Sequence, residues 1–292
     1  MFVAIKKVVA DTNLQAINRE VDILAKLKTH SQNFLIAYYG CGVSNDQGRL
    51  TYHLCTEVAD GSLISLSKIV KNDEFANSTL LQYINYAVVT ALDYLYSINI
   101  IHRDIKPANI LYKLTKQRPQ KIIIKLTDFG ISRVLVDNGA STVGNATFRY
   151  MAPERESNFV NDGAKQRYGV ETDIWSLAVT ILEMHMRRYP LETLLRDNET
   201  EIQLLARFRE MPFPILDEVG ALFTDTSLKE YLRCALLPSS RHSLNNGQEN
   251  EYRPNDYQNL KSFEYVQSFL ERSKNDYDPQ SGAYKLNDDV FK

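Results

Sequence analysis

The sequence predicts an α+β fold in which short strands come first and long helices follow. Residues 2–8, 35–39 and 50–57 are rich in β-branched and other apolar residues, which is typical of strands. Further along, apolar residues recur at every third or fourth position over 79–97, and a second apolar stretch runs from 173 to about 186. This spacing predicts helices that each bury one face or more.

Length, charge and cysteine content narrow the class of protein. The 292 residues suffice for one large domain or two lobes. A net charge of −2 gives no indication of a nucleic-acid or polybasic membrane binder. No apolar run approaches the ~20 residues of a membrane span. Three scattered cysteines show neither metal-site spacing nor a disulfide framework, so we expect a cytoplasmic protein without a signal peptide.

The most informative stretch is residues 101–111, where apolar residues flank a short polar loop at both ends. Asp104 and Asn109 stand in this loop with Lys106 between them. A loop pinned at two buried ends holds a base, a cation and a metal ligand in fixed relation. Phosphoryl transfer needs that set, because its catalysis is mostly positioning and charge stabilisation. The stretch resembles the catalytic loop of protein kinases, His-Arg-Asp-x-x-x-x-Asn.

That resemblance implies chemistry for the loop and for the first strand. Asp104 would accept or orient the substrate hydroxyl proton, and Lys106 would screen the transferring phosphoryl group. Val-Ala-Ile-Lys at 3–6 resembles the kinase strand whose lysine pairs with the α- and β-phosphates of ATP. Lys6 is then the phosphate lysine, and Ala4 belongs to the same nucleotide site.

The helix predicted over Leu14–Lys28 offers a partner for Lys6. Glu20 borders the apolar face of this helix and is placed to point into a cleft. By resemblance it is the glutamate that pairs with the strand lysine. The alternatives are Asp22, which lies off that face, or a solvated Glu20.

Residues 55–63 resemble the hinge between kinase lobes. In that reading Thr56 is the gatekeeper beside the adenine, and the main chains of Glu57 and Ala59 hydrogen-bond the purine edge. Glycines at 40 and 42 look like a phosphate loop but lack a third glycine at the right spacing. We therefore expect residues 40–48 to be a hairpin connection.

Asp-Phe-Gly at 128–130 resembles the kinase motif that holds the catalytic metal. Asp128 would bind Mg²⁺ against the phosphates, and Asn109 would hold the second metal position. Carboxylate and amide oxygens suit hard Mg²⁺. We expect His102 to be a structural residue under this turn and not a base.

The polar segment that ends in Ala-Pro-Glu at 152–154 resembles a kinase activation segment. Ser141 and Thr142 are its expected phosphosites, because Arg103 beside the catalytic loop is a cation suited to pairing with phosphate. Simple loop polarity is the alternative for both hydroxyls. Thr147 aligns with the threonine that contacts the catalytic aspartate and lysine in serine/threonine kinases.

Two further pairs are expected to be structural. Asp173 resembles the kinase aspartate that hydrogen-bonds the backbone of the catalytic loop. Glu154 is expected to pair with a later arginine, for which Arg253 fits best and Arg241 is the rival.

The motifs run from residue 3 to about 270, so the resemblance implies a bilobal protein-kinase fold over 1–272. We divide it into a small β-rich lobe at 1–57, a hinge at 58–61 and a larger, mainly helical lobe at 62–272. A polar insertion at 239–250 and a loose polar tail at 273–292 complete the chain.

The wider wording is similar to mitogen-activated protein kinase kinases, at 17–21, 150–155, 188–190 and 260–272. Those enzymes have dual specificity for Thr and Tyr hydroxyls. The resemblance implies ATP and Mg²⁺ as cofactors. It also implies a mitogen-activated protein kinase as substrate and an upstream activating kinase as partner, met as a monomer or in transient complexes. Arg133 and the extra residues 145–146 depart from that subfamily's pattern.

The chain begins on the strand that bears Lys6, so the glycine-rich loop that precedes this strand in the family is missing here. Two interpretations stay open. The sequence is an incomplete active kinase, or the chain binds ATP poorly and acts as a catalytically impaired kinase-fold scaffold. A small-molecule kinase fits less well, because the Ala-Pro-Glu segment belongs to a platform for protein substrates.

Overall fold

A computed structural model describes most of the chain. It covers residues 2–9, 14–28, 33–46, 49–71, 75, 79–129, 133–134, 148–155, 169–200, 203–204, 207, 224–237, 253–287 and 290–291.

A three-stranded antiparallel sheet forms the N-terminal part. Its strands are β1 (Val3–Val9), β2 (Tyr38–Asp46) and β3 (Arg49–Glu57), in the order β1-β3-β2. Helix α1 (Leu14–Lys28) buries an apolar face and packs beside β2. The helix has the bounds that its periodicity predicts.

The expected hairpin connection at 40–48 is wrong, because most of these residues belong to β2. Gly40 pairs with Cys55 and Gly42 pairs with His53 along β3. Glycines and polar residues hide the strand from a search for alternating apolar residues. Backbone pairing with β3 extends β2 despite its weak propensity.

The C-terminal part carries a second sheet, in the order β4-β6-β7-β10-β9. Its strands are β4 (Gly61–Ser62), β6 (Ile110–Leu114), β7 (Lys121–Leu126), β9 (Tyr277–Asp278) and β10 (Ala283–Lys285), while β5 (Ile100–Ile101) and β8 (Arg133–Val134) pair separately. The catalytic-loop stretch thus lies between β5 and β6.

Helices supply most of the C-terminal core. They are α2 (Leu63–Ile69), α3 (Thr79–Ser97), α4 (Val170–Met186), α5 (Thr226–Ala235), α6 (Tyr257–Ser262) and α7 (Glu264–Arg272). Helix α3 has the predicted bounds, and α4 begins three residues before its prediction, at Val170. Both are buried on almost every side. None of the described helices is both long and apolar enough to cross a membrane.

The expectation of a loose tail after residue 273 is wrong. Strand β10 pairs with β7, and Ala283, Leu286 and Val290 are buried. The Tyr83 hydroxyl donates a 2.7 Å hydrogen bond to the carbonyl of Gly282. The tail packs because β7 offers an open edge and α3 offers an aromatic bed, neither of which is visible in the tail's own polar composition.

Candidate active site

The three polar side chains of the catalytic-loop stretch come together in the structure. Lys106 Nζ donates to both carboxylate oxygens of Asp104, at 3.0 and 2.8 Å. Asn109 Nδ2 donates to the main-chain and carboxylate oxygens of Asp104, both at 2.8 Å. Asp104 is therefore held in one orientation, while 18% of its side chain stays exposed to a substrate.

The backbone of the same loop is anchored from below by α4. The carboxylate of Asp173 accepts hydrogen bonds from the N–H groups of His102 (2.9 Å) and Arg103 (2.7 Å). Burial raises the pKa of Asp173, against the effects of His102, these N–H groups and Arg155. Arg103 has a φ of 72°, in the left-handed region. Such a backbone persists only where its surroundings hold it, and Asp173 supplies two of those contacts.

His102 is fully buried, as expected for a structural residue. Its Nε2 donates to the carbonyl of Thr127 (3.0 Å), and its ring packs edge-on against Phe129 at 5.2 Å between centroids. These contacts connect the catalytic loop to the residues on either side of Asp128.

Lys6 joins the two parts of the molecule. Its Nζ donates to Glu20 Oε1 at 2.8 Å and to Asp128 Oδ1 at 2.9 Å. Burial acts to lower the pKa of Lys6, but Asp128 and Glu20 outweigh it, so that pKa is raised. Glu20 is buried and Asp22 is exposed. The geometry therefore selects Glu20 among the alternatives left open by the sequence.

The residues expected around the purine lie on one face of the first sheet. Ala4 stands opposite Thr56 in the β1–β3 register, and Lys6 is two residues further along β1 on the same face. The Thr56 hydroxyl donates to the carbonyl of Glu57 at 3.3 Å. Ala59 follows β3 and is partly exposed.

The oxygen donors of Asn109 and Asp128 fit the expected metal. Asn109 uses its amide nitrogen toward Asp104, which turns its amide oxygen away from that carboxylate. An amide oxygen, a carboxylate and substrate phosphates form the hard-oxygen set that Mg²⁺ prefers. Asp128 has a φ of 67°, so the turn that presents its carboxylate is held in the left-handed region.

Support for the segment after the catalytic centre matches one expected pair. Arg253 Nη1 donates to Glu154 Oε1 at 2.7 Å and to the carbonyl of Glu171 at 2.8 Å. Its guanidinium lies over the Trp175 ring at 4.8 Å. The pairing of Glu154 with Arg253 is confirmed. The rival Arg241, together with Gly130, Ser141, Thr142 and Thr147, lies outside the described residues.

One charged group was missed by the sequence interpretation. The side chain of Glu57, which that interpretation used only for its backbone, is buried against Lys125 (3.2 Å) and Lys113 (3.4 Å). Lys113 lies on β6 and Lys125 on β7, far along the chain from Glu57, so no local pattern indicates the cluster.

Comparison with known proteins agrees with this geometry. A family model for the protein kinase domain matches residues 1–249. The MAP kinase kinase skh1/pek1 of Schizosaccharomyces pombe is 31% identical over 245 residues, which is 82% of this chain and 62% of that protein. The dual specificity mitogen-activated protein kinase kinase hemipterous of Drosophila melanogaster is 34% identical over 186 residues (63% and 14%). The mitogen-activated protein kinase kinase mkk2 of Aspergillus fumigatus is 31% identical over 240 residues (80% and 45%). The chain thus spans less than two thirds of the length of each of these relatives.

Proposed function

The chain belongs to the protein kinase family, and from that premise we propose that it transfers the γ-phosphoryl group of ATP to a hydroxyl of a protein substrate. The observation that carries the proposal is the joint arrangement of two clusters. Lys6 bridges Glu20 and Asp128, while Lys106 and Asn109 hold Asp104.

Each side chain has a distinct task in this reaction. Lys6, oriented by Glu20, binds the α- and β-phosphates. Asp128 and Asn109 hold Mg²⁺, which neutralises charge on the phosphates when bound. Asp104 orients the substrate hydroxyl and accepts its proton at a carboxylate oxygen, and Lys106 screens the charge of the transferring group.

We further propose that the substrate is a mitogen-activated protein kinase and that the enzyme acts on Thr and Tyr hydroxyls within a signalling cascade. Similarity to the three MAP kinase kinases supports this assignment. In this proposal an upstream kinase phosphorylates Ser141 and Thr142, and Thr147 lies in the loop that receives the substrate.

We also propose a cytoplasmic location for this activity. Cys41, Cys55 and Cys234 form no disulfide with one another. Scattered free thiols suit a reducing compartment.

The test is phosphotransfer from Mg-ATP to a catalytically inactive mitogen-activated protein kinase, compared between the wild-type chain and Asp104→Asn. General-base contributions are typically 10²–10⁴-fold, so we expect the rate to fall by about that factor. The matched control is Asp93→Asn, which removes a carboxylate paired with Lys261 on the helical surface. Equal rates for wild type and Asp104→Asn would refute the proposal, and mapping of the product assigns Ser, Thr or Tyr.

A further inference from the structure

The side chain of Glu57 stands where β3 ends and the hinge begins, and it is 9% exposed. One carboxylate oxygen accepts the N–H of Ala37 at 2.9 Å and lies 3.2 Å from Lys125 Nζ. The other accepts from Lys113 Nζ at 3.4 Å. A single buried carboxylate thus contacts three separate segments of the chain.

Those segments are already joined to one another through their backbones. The N–H of Glu57 donates to the carbonyl of Ala37 at 2.9 Å, and Ile36 and Phe34 exchange hydrogen bonds with Leu126 at 3.0 and 2.8 Å. Lys125 Nζ also donates to the carbonyl of Leu35 at 3.2 Å. The carboxylate therefore lies at the point where the hinge, the segment 34–37 and β7 meet.

The charge on Glu57 is maintained by this surrounding. Burial acts to raise the pKa of Glu57, but Lys125, the Ala37 N–H and Lys113 together outweigh it, so the pKa lies below its usual value. Lys125 is 13% exposed. Removal of the carboxylate charge would leave this lysine in a poorly solvated place without its counter-charge.

We infer that Glu57 is a positioning residue for the nucleotide, because its carboxylate fixes the hinge backbone relative to β7. Strand β7 ends at Leu126, and Thr127 connects it directly to Asp128. The hinge is the proposed purine contact and Asp128 the proposed metal ligand, so this cluster sets the spacing between the two ends of the nucleotide site. The inference rests on the proposed kinase function.

The location predicts a selective defect. A nucleotide contacts the hinge and the Asp128 region at once, and small misplacements of a bound reactant are costly. Asp104 is held by its own loop through Lys106, Asn109 and the Asp173 anchor. Loss of the Glu57 charge should therefore weaken nucleotide binding far more than it slows the chemical step.

The experiment measures the affinity of Glu57→Gln for Mg-ADP by titration calorimetry, together with kcat and both KM values. We expect a Kd and an ATP KM raised roughly 10-fold, with kcat and the KM for the protein substrate within about 2-fold of wild type. The matched control is Glu199→Gln. Glu199 is also a largely buried carboxylate, paired with Arg207 at 2.8 Å and accepting a backbone N–H from Arg196 at 2.9 Å, but it belongs to none of the segments around Glu57.

A second variant separates positioning from burial of an uncompensated charge. In Glu57→Gln/Lys125→Met both charges are absent. We expect this double variant to regain thermal stability but not affinity for Mg-ADP, because the tie between hinge and β7 is still missing. Recovery of both quantities would show that the loss came from the buried lysine, and the inference would be wrong. Should neither variant fold, Lys113→Met removes the more exposed lysine of the cluster and is expected to raise the Kd about 2-fold; an unchanged Kd in that variant would count against the inference.

Failure of the inference differs from failure of the proposed function. A wild-type chain that transfers phosphate, beside a Glu57→Gln variant that binds Mg-ADP as tightly, would overturn the positioning role alone. A wild-type chain that neither binds Mg-ADP nor transfers phosphate would overturn the kinase proposal and this inference with it.

Discussion

Replacement of Gly282 by alanine tests the packing of the C-terminal tail. Gly282 has a φ of 70°, which L-residues with a side chain rarely adopt. A Cβ there would lie 2.8 Å from Asn33 Cβ and 3.0 Å from a ring carbon of Phe34. The neighbouring atoms are a Cβ and a buried ring, so neither is the free end of a flexible side chain.

The expected loss of stability has two parts. Alanine in a left-handed backbone costs about 1 kcal/mol relative to glycine. Overpacking against a well-filled site adds about 1–3 kcal/mol. The sum is about 3 kcal/mol, which for a domain of this size corresponds to a decrease in Tm of about 6–12 °C.

Thermal and urea unfolding of Gly282→Ala measure the effect, with Gly42→Ala as the matched control. Gly42 lies in β2, and no atom lies within 4 Å of the position that a Cβ would occupy there. Its substitution is therefore expected to change the free energy of unfolding by less than about 1 kcal/mol. If the two variants unfolded at the same temperature, the described packing of the tail on Asn33 and Phe34 would be refuted.

Three other changes test separate parts of the structure. Glu154→Gln leaves the Arg253 guanidinium buried without its counter-charge and is expected to cost about 3 kcal/mol in urea unfolding; a loss below about 1 kcal/mol would contradict a buried pair. Because the pKa of Glu57 is lowered on folding from 4.5, its stabilisation is full above that pH and is lost as the pH falls through the folded pKa. The difference in unfolding free energy between wild type and Glu57→Gln should therefore shrink on acidification, and a constant difference would refute the ionic role. Lys6→Met should lower kcat/KM for ATP by about 10²-fold with little change in Tm, since 46% of the Lys6 side chain is exposed; Lys7→Met, on the opposite face of β1, is its control.

Much of the candidate site could be predicted from the sequence because its parts are local. Asp104, Lys106 and Asn109 lie within one short loop, so their spacing already restricts their geometry. Helix α1 and helix α3 follow from apolar periodicity, which reports the face that each buries. For the same reason Glu20 could be singled out as the residue at the border of the α1 face.

Features that depend on distant neighbours could not be predicted in this way. The glycines of β2 become strand residues only because β3 offers backbone partners. The tail after residue 273 packs only because β7 leaves an edge open beside the aromatic side chains of α3.

The clearest division between the two sources of information lies at Glu57. The amino-acid sequence by itself determined that a hinge-like segment follows a strand there, since that depends on neighbours along the chain. Only the tertiary structure decided that the carboxylate is buried between Lys113 and Lys125, because burial and charge pairing depend on which strands fold against each other and not on their order in sequence.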